Sequence, residues 1–128
     1  MSSVVKELPG LDVRVEDVIY MPSLDAPEER PHPFVYFIAI ENNSEERVTI
    51  KGRKWVISQE NGEKIVVEGD GVVSQRPEIE PGDSFRYNSY HVLSANASAR
   101  GAFFGETDAG DLVFTRIPDF EMQLPQWA

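Results

Sequence analysis

Two clusters carry residue types that do chemistry. One is Gly69-Asp70-Gly71-Val72-Val73-Ser74, a near match to the glycine fingerprint that cradles a diphosphate. The other is Lys51, Arg53 and Lys54 beside Trp55, the densest basic group in the chain, with Arg76 further on. A dinucleotide fingerprint needs a strand before the glycines and a helix after them, because the phosphate rests on free helix amides and their dipole. Here Val72 and Val73 favour extended backbone, Pro77 and Pro81 follow, and Ser74 stands where a third glycine would allow close packing. The run therefore reads as a bend between sheets with its glycines at positive φ, and a backbone anion nest is the alternative.

The basic cluster divides by strand alternation, with Arg53 and Trp55 on one face and Lys54 on the other. One reading makes Trp55 and Ile57 core, the Arg53 stem covering apolar surface and its head pairing with an acidic neighbour. The other makes Arg53 a bidentate clamp for an anion or carboxylate at a rim. Ser89 and His91 sit two apart on one strand face, without a nucleophile elbow, a third orienting group or a glycine-rich oxyanion loop, so they read as a surface pair rather than a triad. His32 and His91 are the only histidines and lack a paired-ligand spacing, and the carboxylates are scattered over turns. No metal site and no cofactor is expected.

The elements that must position these residues are strands. Leu11, Val13 and Val15 alternate, and Val18 and Tyr20 resume on the opposite parity, which predicts a bulge around Glu16 and Asp17. Met21 to Pro33 holds four prolines and is expected to be a loop or an edge. Phe34 to Ile40 is apolar on both parities, as a central strand requires. Strands follow from Arg47 to Gln59, interrupted only at Gly52, and from Glu63 to Glu68, with Asn61-Gly62 between them predicting a type I′ hairpin. Pro81-Gly82 and Asp108 to Asp111 are further turns, delivering strands from Asp83 to His91 and from Leu112 to Ile117, with alternation resuming over Phe120, Met122 and Leu124. The expectation is one all-β domain, an antiparallel β-sandwich of seven to nine strands, with residues 1–9 a loosely held N-terminal segment.

Composition narrows the partners. The 128 residues carry 12 basic and 22 acidic side chains, a formal charge of −10, which argues against a nucleic-acid surface built on phosphate neutralisation. The chain has no cysteine, hence no disulfide or thiolate site. No apolar run approaches the roughly 20 residues of a membrane helix, and the N-terminus lacks a secretory core, so a cytoplasmic protein off the membrane is expected. The triplets Asn42 to Ser44 and Asn96 to Ser98 read as polar turns.

From Gly52 to Leu124 the sequence resembles the bacterial ApaG family, also found as a domain in some F-box proteins. The resemblance rests on Gly52-Arg53-Lys54-Trp55-Val56-Ile57, Asn61-Gly62, Val67 to Val73, Pro77, Ile79-Glu80-Pro81-Gly82, Phe85 to Ser89 and Ile117-Pro118-Asp119-Phe120. It implies an immunoglobulin or fibronectin type III-like sandwich. Bacterial members are linked to cobalt resistance and magnesium efflux, and the eukaryotic domains look like protein-interaction modules; no catalytic residues come with the resemblance. The chain departs from the family at Ser74, where a third glycine is usual, at Ser89-Tyr90, where Ser-Gly is common, and in a loop from Ser94 to Arg100 without Pro or Gly.

The expected function is a non-enzymatic binding module for a partner protein or peptide, engaged by a sheet edge or a loop end. The expected surface is the rim of Arg53, Gly69, Asp70, Gly71 and Arg76, with Tyr90 and His91. The alternative is a binder of a phosphorylated or nucleotide-like small ligand at that rim, with a hydrolase as a third reading. Assembly into a homo-oligomer is left open.

Overall fold

A computed structural model describes residues 4–128. It contains two packed sheets and no helix among the described residues. The strands are β1 (Lys6–Glu7), β2 (Leu11–Tyr20), β3 (His32–Asn42), β4 (Val48–Gln59), β5 (Lys64–Asp70), β6 (Glu78–Ile79), β7 (Ser84–Leu93), β8 (Ala97–Thr107) and β9 (Leu112–Met122). One sheet has the order β1-β9-β8-β4-β5, with β6 also paired to β4; the other is β2-β3-β7. Seven long strands and two short ones match the sandwich expected from the alternation.

The pattern of burial follows the sequence. β3 lies between β2 and β7, and Val35 and Ala39 on one face are as buried as Tyr36, Ile38 and Ile40 on the other. β2 shifts register between Val15 and Asp17, at the expected bulge, so its apolar face is restored. The inner faces of both sheets meet around Trp55, Phe103, Ile38, Ile40, Ile50, Ile57 and Leu93, each at most 1% exposed. Fully burying side chains of this kind stabilises the fold by about 1.5–3 kcal/mol apiece.

Several local expectations are corrected. Pro33 belongs to the central strand, opposite Val92, although the proline-rich segment is expected to be a loop or an edge. Its carbonyl accepts a hydrogen bond from the Met21 amide beyond the end of β2, and its ring nitrogen faces the same way, where no ladder donor is required. The Asn61-Gly62 turn is not type I′, because only Gly62, at φ 90°, is left-handed. It is a type I turn closed by a glycine bulge: Gly62 N donates to Gln59 O (2.9 Å), and Asn61 Oδ1 instead accepts from Glu63 N (3.0 Å). β8 starts at Ala97, so the expected Ser94 to Arg100 loop shrinks to three residues, fastened where Gln59 Oε1 accepts from Ser94 N (2.8 Å) and Ala95 N (3.2 Å). Within the segment expected to hang loosely, Lys6 and Glu7 pair in parallel with Val113 and Phe114; residues 1–3 lie outside the described residues.

The type I′ turn falls elsewhere. Val73 (φ 43°) and Ser74 (φ 64°) form a two-residue hairpin closed by Val72 N donating to Gln75 O (2.7 Å) and Gln75 N to Val72 O (2.9 Å). Of the paired glycines only Gly71, at φ 63°, is left-handed, and a Cβ there would fall 2.1 Å from the Gln75 carbonyl oxygen. A β-branched residue at positive φ is strained, and the strain is held by the fully buried Val72 side chain.

Asn42, fully buried at the end of β3, joins the two sheets. Its Nδ2 donates to Glu46 O (2.7 Å) and to Ile79 O of β6 (2.8 Å), and its Oδ1 accepts from Ser44 N (3.0 Å) and Ser44 Oγ (2.6 Å). Asn42→Ala is expected to lower the free energy of unfolding by about 3 kcal/mol, seen as a reduced urea midpoint at unchanged slope. Ser74→Gly relieves a left-handed side chain and is expected to raise stability by roughly 0.5–1 kcal/mol in the same assay.

Candidate functional site

The residues expected at the rim separate into two groups. Arg53 on β4 stands opposite Gly69 of β5, and its guanidinium lies across that glycine so closely that a Cβ would come within 2.8 Å of Nη1. Nη1 donates to the carbonyls of Asp70 (3.0 Å) and Gly71 (3.1 Å). The acidic partner expected for Arg53 is thus replaced by backbone oxygens. The Asp70 carboxylate faces Arg76 instead, 3.9 Å away and exposed. The glycine run presents carbonyls rather than amides: Gly71 N is spent on Lys51 O (2.7 Å) and Val72 N on Gln75 O (2.7 Å). That polarity is the reverse of a phosphate cradle.

On the other side, Arg53 borders an inter-sheet cleft of about 260 Å³ whose walls include Tyr36, Trp55, Ile65, Val67, Ser89 and His91. The structure brings Arg53 and His91 to this cleft, with Tyr90 and Arg30 at its mouth, and leaves Gly69, Asp70, Gly71 and Arg76 outside its lining. Tyr90 is on the outward parity of β7, and its hydroxyl donates to Asp25 O (3.1 Å). His91, only 7% exposed, lies 4.6 Å from the Tyr36 ring and 4.8 Å from Trp55, centroid to centroid. Burial pushes its pKa down to about 4, because a charged imidazole would lose its hydration there. The Tyr36 phenol is raised by burial, against the lowering influence of the Ser89 hydroxyl, the Arg53 charge and the Tyr87 hydroxyl. Trp55 Nε1 and His91 Nε2 are buried and find no hydrogen-bond partner among the described residues.

A second concavity, which the sequence reading missed, lies on the solvent face of the six-stranded sheet. Its floor is Gly101 and Ala102 of β8, and its walls include Val56, Phe104, Phe114, Ile117, Lys54 and Arg116, enclosing about 470 Å³. Register arranges it in rows. Lys54, Ala102 and Arg116 are direct neighbours across β4, β8 and β9, and Phe104 faces Phe114 in an adjoining row. Gly101 admits no side chain, since a Cβ would meet Lys54 O at 2.2 Å, and Ala102 is the shortest side chain that could stand between two long cations. The phenyl rings sit 6.5 Å apart, with the Arg116 guanidinium 5.6 Å from the Phe114 centroid. Phe104 is 38% and Val66 of β5 55% exposed. The sequence signal was available in Phe103-Phe104, two large apolar neighbours on a strand that must face opposite ways, so that one of them leaves the inner face of the sheet. Among the described residues, no group of three or more His, Asp or Glu side chains is placed to hold a metal ion.

Comparison with known proteins returns one consistent answer. The ApaG domain family model matches residues 22–106. Curated relatives named Protein ApaG include one from Caulobacter vibrioides, 36% identical over 89% of this chain and 86% of that protein, and one from Brucella anthropi, 36% identical over 91% and 90%. An X-ray structure of a structural-genomics target, 29% identical, superposes with a TM-score of 0.79 over 91% of this chain and 89% of that one. A crystal structure from Bordetella pertussis, 26% identical, gives the same score over 96% and 99%.

His91 sets a pH dependence whose sign is fixed by its environment. Its folded pKa of about 4 lies below the ordinary 6.5, so between those values the unfolded chain binds the extra proton. Stability is therefore fully present above pH 6.5 and falls as pH drops towards 4, by up to about 3 kcal/mol. Urea midpoints at pH 7 and pH 4.5 should differ more for the wild type than for His91→Phe, which keeps the ring and removes the titration.

Proposed function

Because the chain belongs to the ApaG domain family, we propose that it is a non-enzymatic binding module that docks an acidic, apolar-flanked peptide segment of a partner protein on the solvent face of its six-stranded sheet. The observation that carries this reading is the Ala102 hollow. It has an apolar floor and walls, and three cations, Lys54, Arg100 and Arg116, border it against one carboxylate, Asp119. Lys54 and Arg116 are held by exposed salt bridges to Glu68 (3.3 Å) and Glu7 (3.7 Å), and an acidic partner engages them by exchanging with those weak surface pairs. The apolar rows above and below, Phe104 with Phe114 and Val56 with Val66, suit apolar side chains on either side of the acidic one.

The partner surface is thus moved from the glycine-rich rim to the opposite face of β4. A phosphorylated ligand gains no support at the rim, where carbonyls already hold Arg53. The non-enzymatic reading is supported by His91, whose buried Nε2 makes no hydrogen bond to Ser89 or to any other described residue. On this reading the cobalt and magnesium links of the family act through the partner and not through bound metal.

The test is Ala102→Glu. A carboxylate placed between Lys54 and Arg116 neutralises the cations and fills the hollow, while its outward position leaves the core untouched. Peptides selected from a random library on the wild type are expected to carry an acidic residue with apolar flanks. They should bind Ala102→Glu about tenfold or more weakly, with a thermal midpoint unchanged or raised. Equal binding to both proteins would place the interaction elsewhere.

A further inference from the structure

We propose that the cleft between the two sheets is a site for a compact organic monocarboxylate with a flat apolar body, its carboxylate seated on Arg53. The site is distinct from the peptide surface, because alternation along β4 sends Arg53 and Trp55 inwards and Lys54 and Val56 outwards.

The cleft is built from polar groups that lack partners. Trp55 and His91 are 1% and 7% exposed, yet Trp55 Nε1 and His91 Nε2 make no hydrogen bond among the described residues. Each buried polar group left unmade costs about 1–3 kcal/mol, so two on adjoining rings are a standing penalty that an acceptor between the sheets would remove. Indole Nε1 can only donate, which demands an acceptor from the ligand. Arg53 supplies the charge. Its recorded partners are two carbonyls on Nη1, which orient the guanidinium without neutralising it, and among the described residues it forms no ion pair. Its field reaches inwards, lowering the Tyr36 and Tyr87 phenols against the stronger effect of burial.

Charge balance selects the class of anion. Arg30, the other cation of the lining, is already paired with Glu63 at 3.2 Å, and buried His91 is neutral near pH 7. One free positive charge accommodates one negative charge. A phosphate carrying nearly two would keep an uncompensated charge against Ile57, Ile65 and Val67, which is costly in an apolar setting. Size and shape select the body. At about 260 Å³ the cleft lies below the usual range for drug-sized ligands, roughly 300–1,000 Å³, and fits a single ring. Tyr36, Trp55 and His91 lie within 5 Å of one another, centroid to centroid, and pack into one aromatic wall against which a flat ring would lie.

The experiment uses benzoate as the probe, followed by proton–nitrogen NMR of the two indole groups. Trp55 reports on the cleft, and Trp127, 75% exposed and packed on Tyr20, is the internal control. Benzoate is expected to shift the Trp55 Nε1 signal saturably and leave Trp127 in place, with benzyl alcohol and inorganic phosphate much weaker. Arg53→Gln should weaken benzoate by about tenfold or more. Because Arg53 also holds the turn at Asp70 and Gly71, His91→Phe provides a second variant that keeps the ring and removes the nitrogen, and should weaken binding severalfold. A Trp55 signal unmoved through the millimolar range overturns the proposal. So does phosphate or benzyl alcohol binding as tightly as benzoate, or both variants binding as the wild type does.

Discussion

A buried carboxamide clamps the two sheets together at one end of the sandwich. Asn42 ends the central strand of the small sheet, and its side chain reaches the β6 carbonyl of Ile79 in the large sheet and the turn that leads into β4. Its own backbone adds two bonds, donating to Asp83 O (2.9 Å) and accepting from Gly82 N (2.7 Å), so the approach to β7 is fixed by the same residue. An amide out of water is tolerable only when its hydrogen-bonding capacity is used, and here both Nδ2 protons and both Oδ1 lone pairs are engaged. At the opposite end Gln59 is engaged on one side only: its Oε1 takes the amides of Ser94 and Ala95, while its buried Nε2 has no partner among the described residues.

How much was legible in the sequence depends on the range of the interaction involved. Strand identity and the β2 bulge are local consequences of side-chain period, and they could be read directly. Turn type was harder. Asn61-Gly62 has the composition of a type I′ turn, yet the hairpin uses a three-residue loop because the Gln59 to Glu63 bond sets the register. Val73-Ser74 has the wrong composition and adopts the type I′ shape because Val72 must be buried and the next strand must return along β4. The function of Arg53 could not be read, because its partners are backbone carbonyls brought round by the turn after β5. Asn42 looked like a surface turn residue and is the most internal polar group, a distinction that only the packing of β6 creates.

The two candidate surfaces are two faces of one strand. Arg53, Trp55 and Ile57 face the cleft, and Lys54 and Val56 face solvent, so β4 forms the wall between them. β8 contributes the matching pair, Phe103 to the core and Phe104 to the outer hollow. At Gly101 the β8 backbone leaves no room for a side chain beside the Lys54 carbonyl, so a substitution there would displace the strand that carries both faces.

The short parallel pairing of Lys6 and Glu7 with Val113 and Phe114 has a mechanical side. Tension applied between the two ends of the chain draws parallel neighbours lengthwise past one another, so the β1–β9 bonds, with Leu8 N on Phe114 O, are loaded together in shear instead of being opened one at a time. A clasp of this length yields first. It releases the few residues ahead of the turn into β2 as slack before any load reaches the barrier set by the sandwich itself.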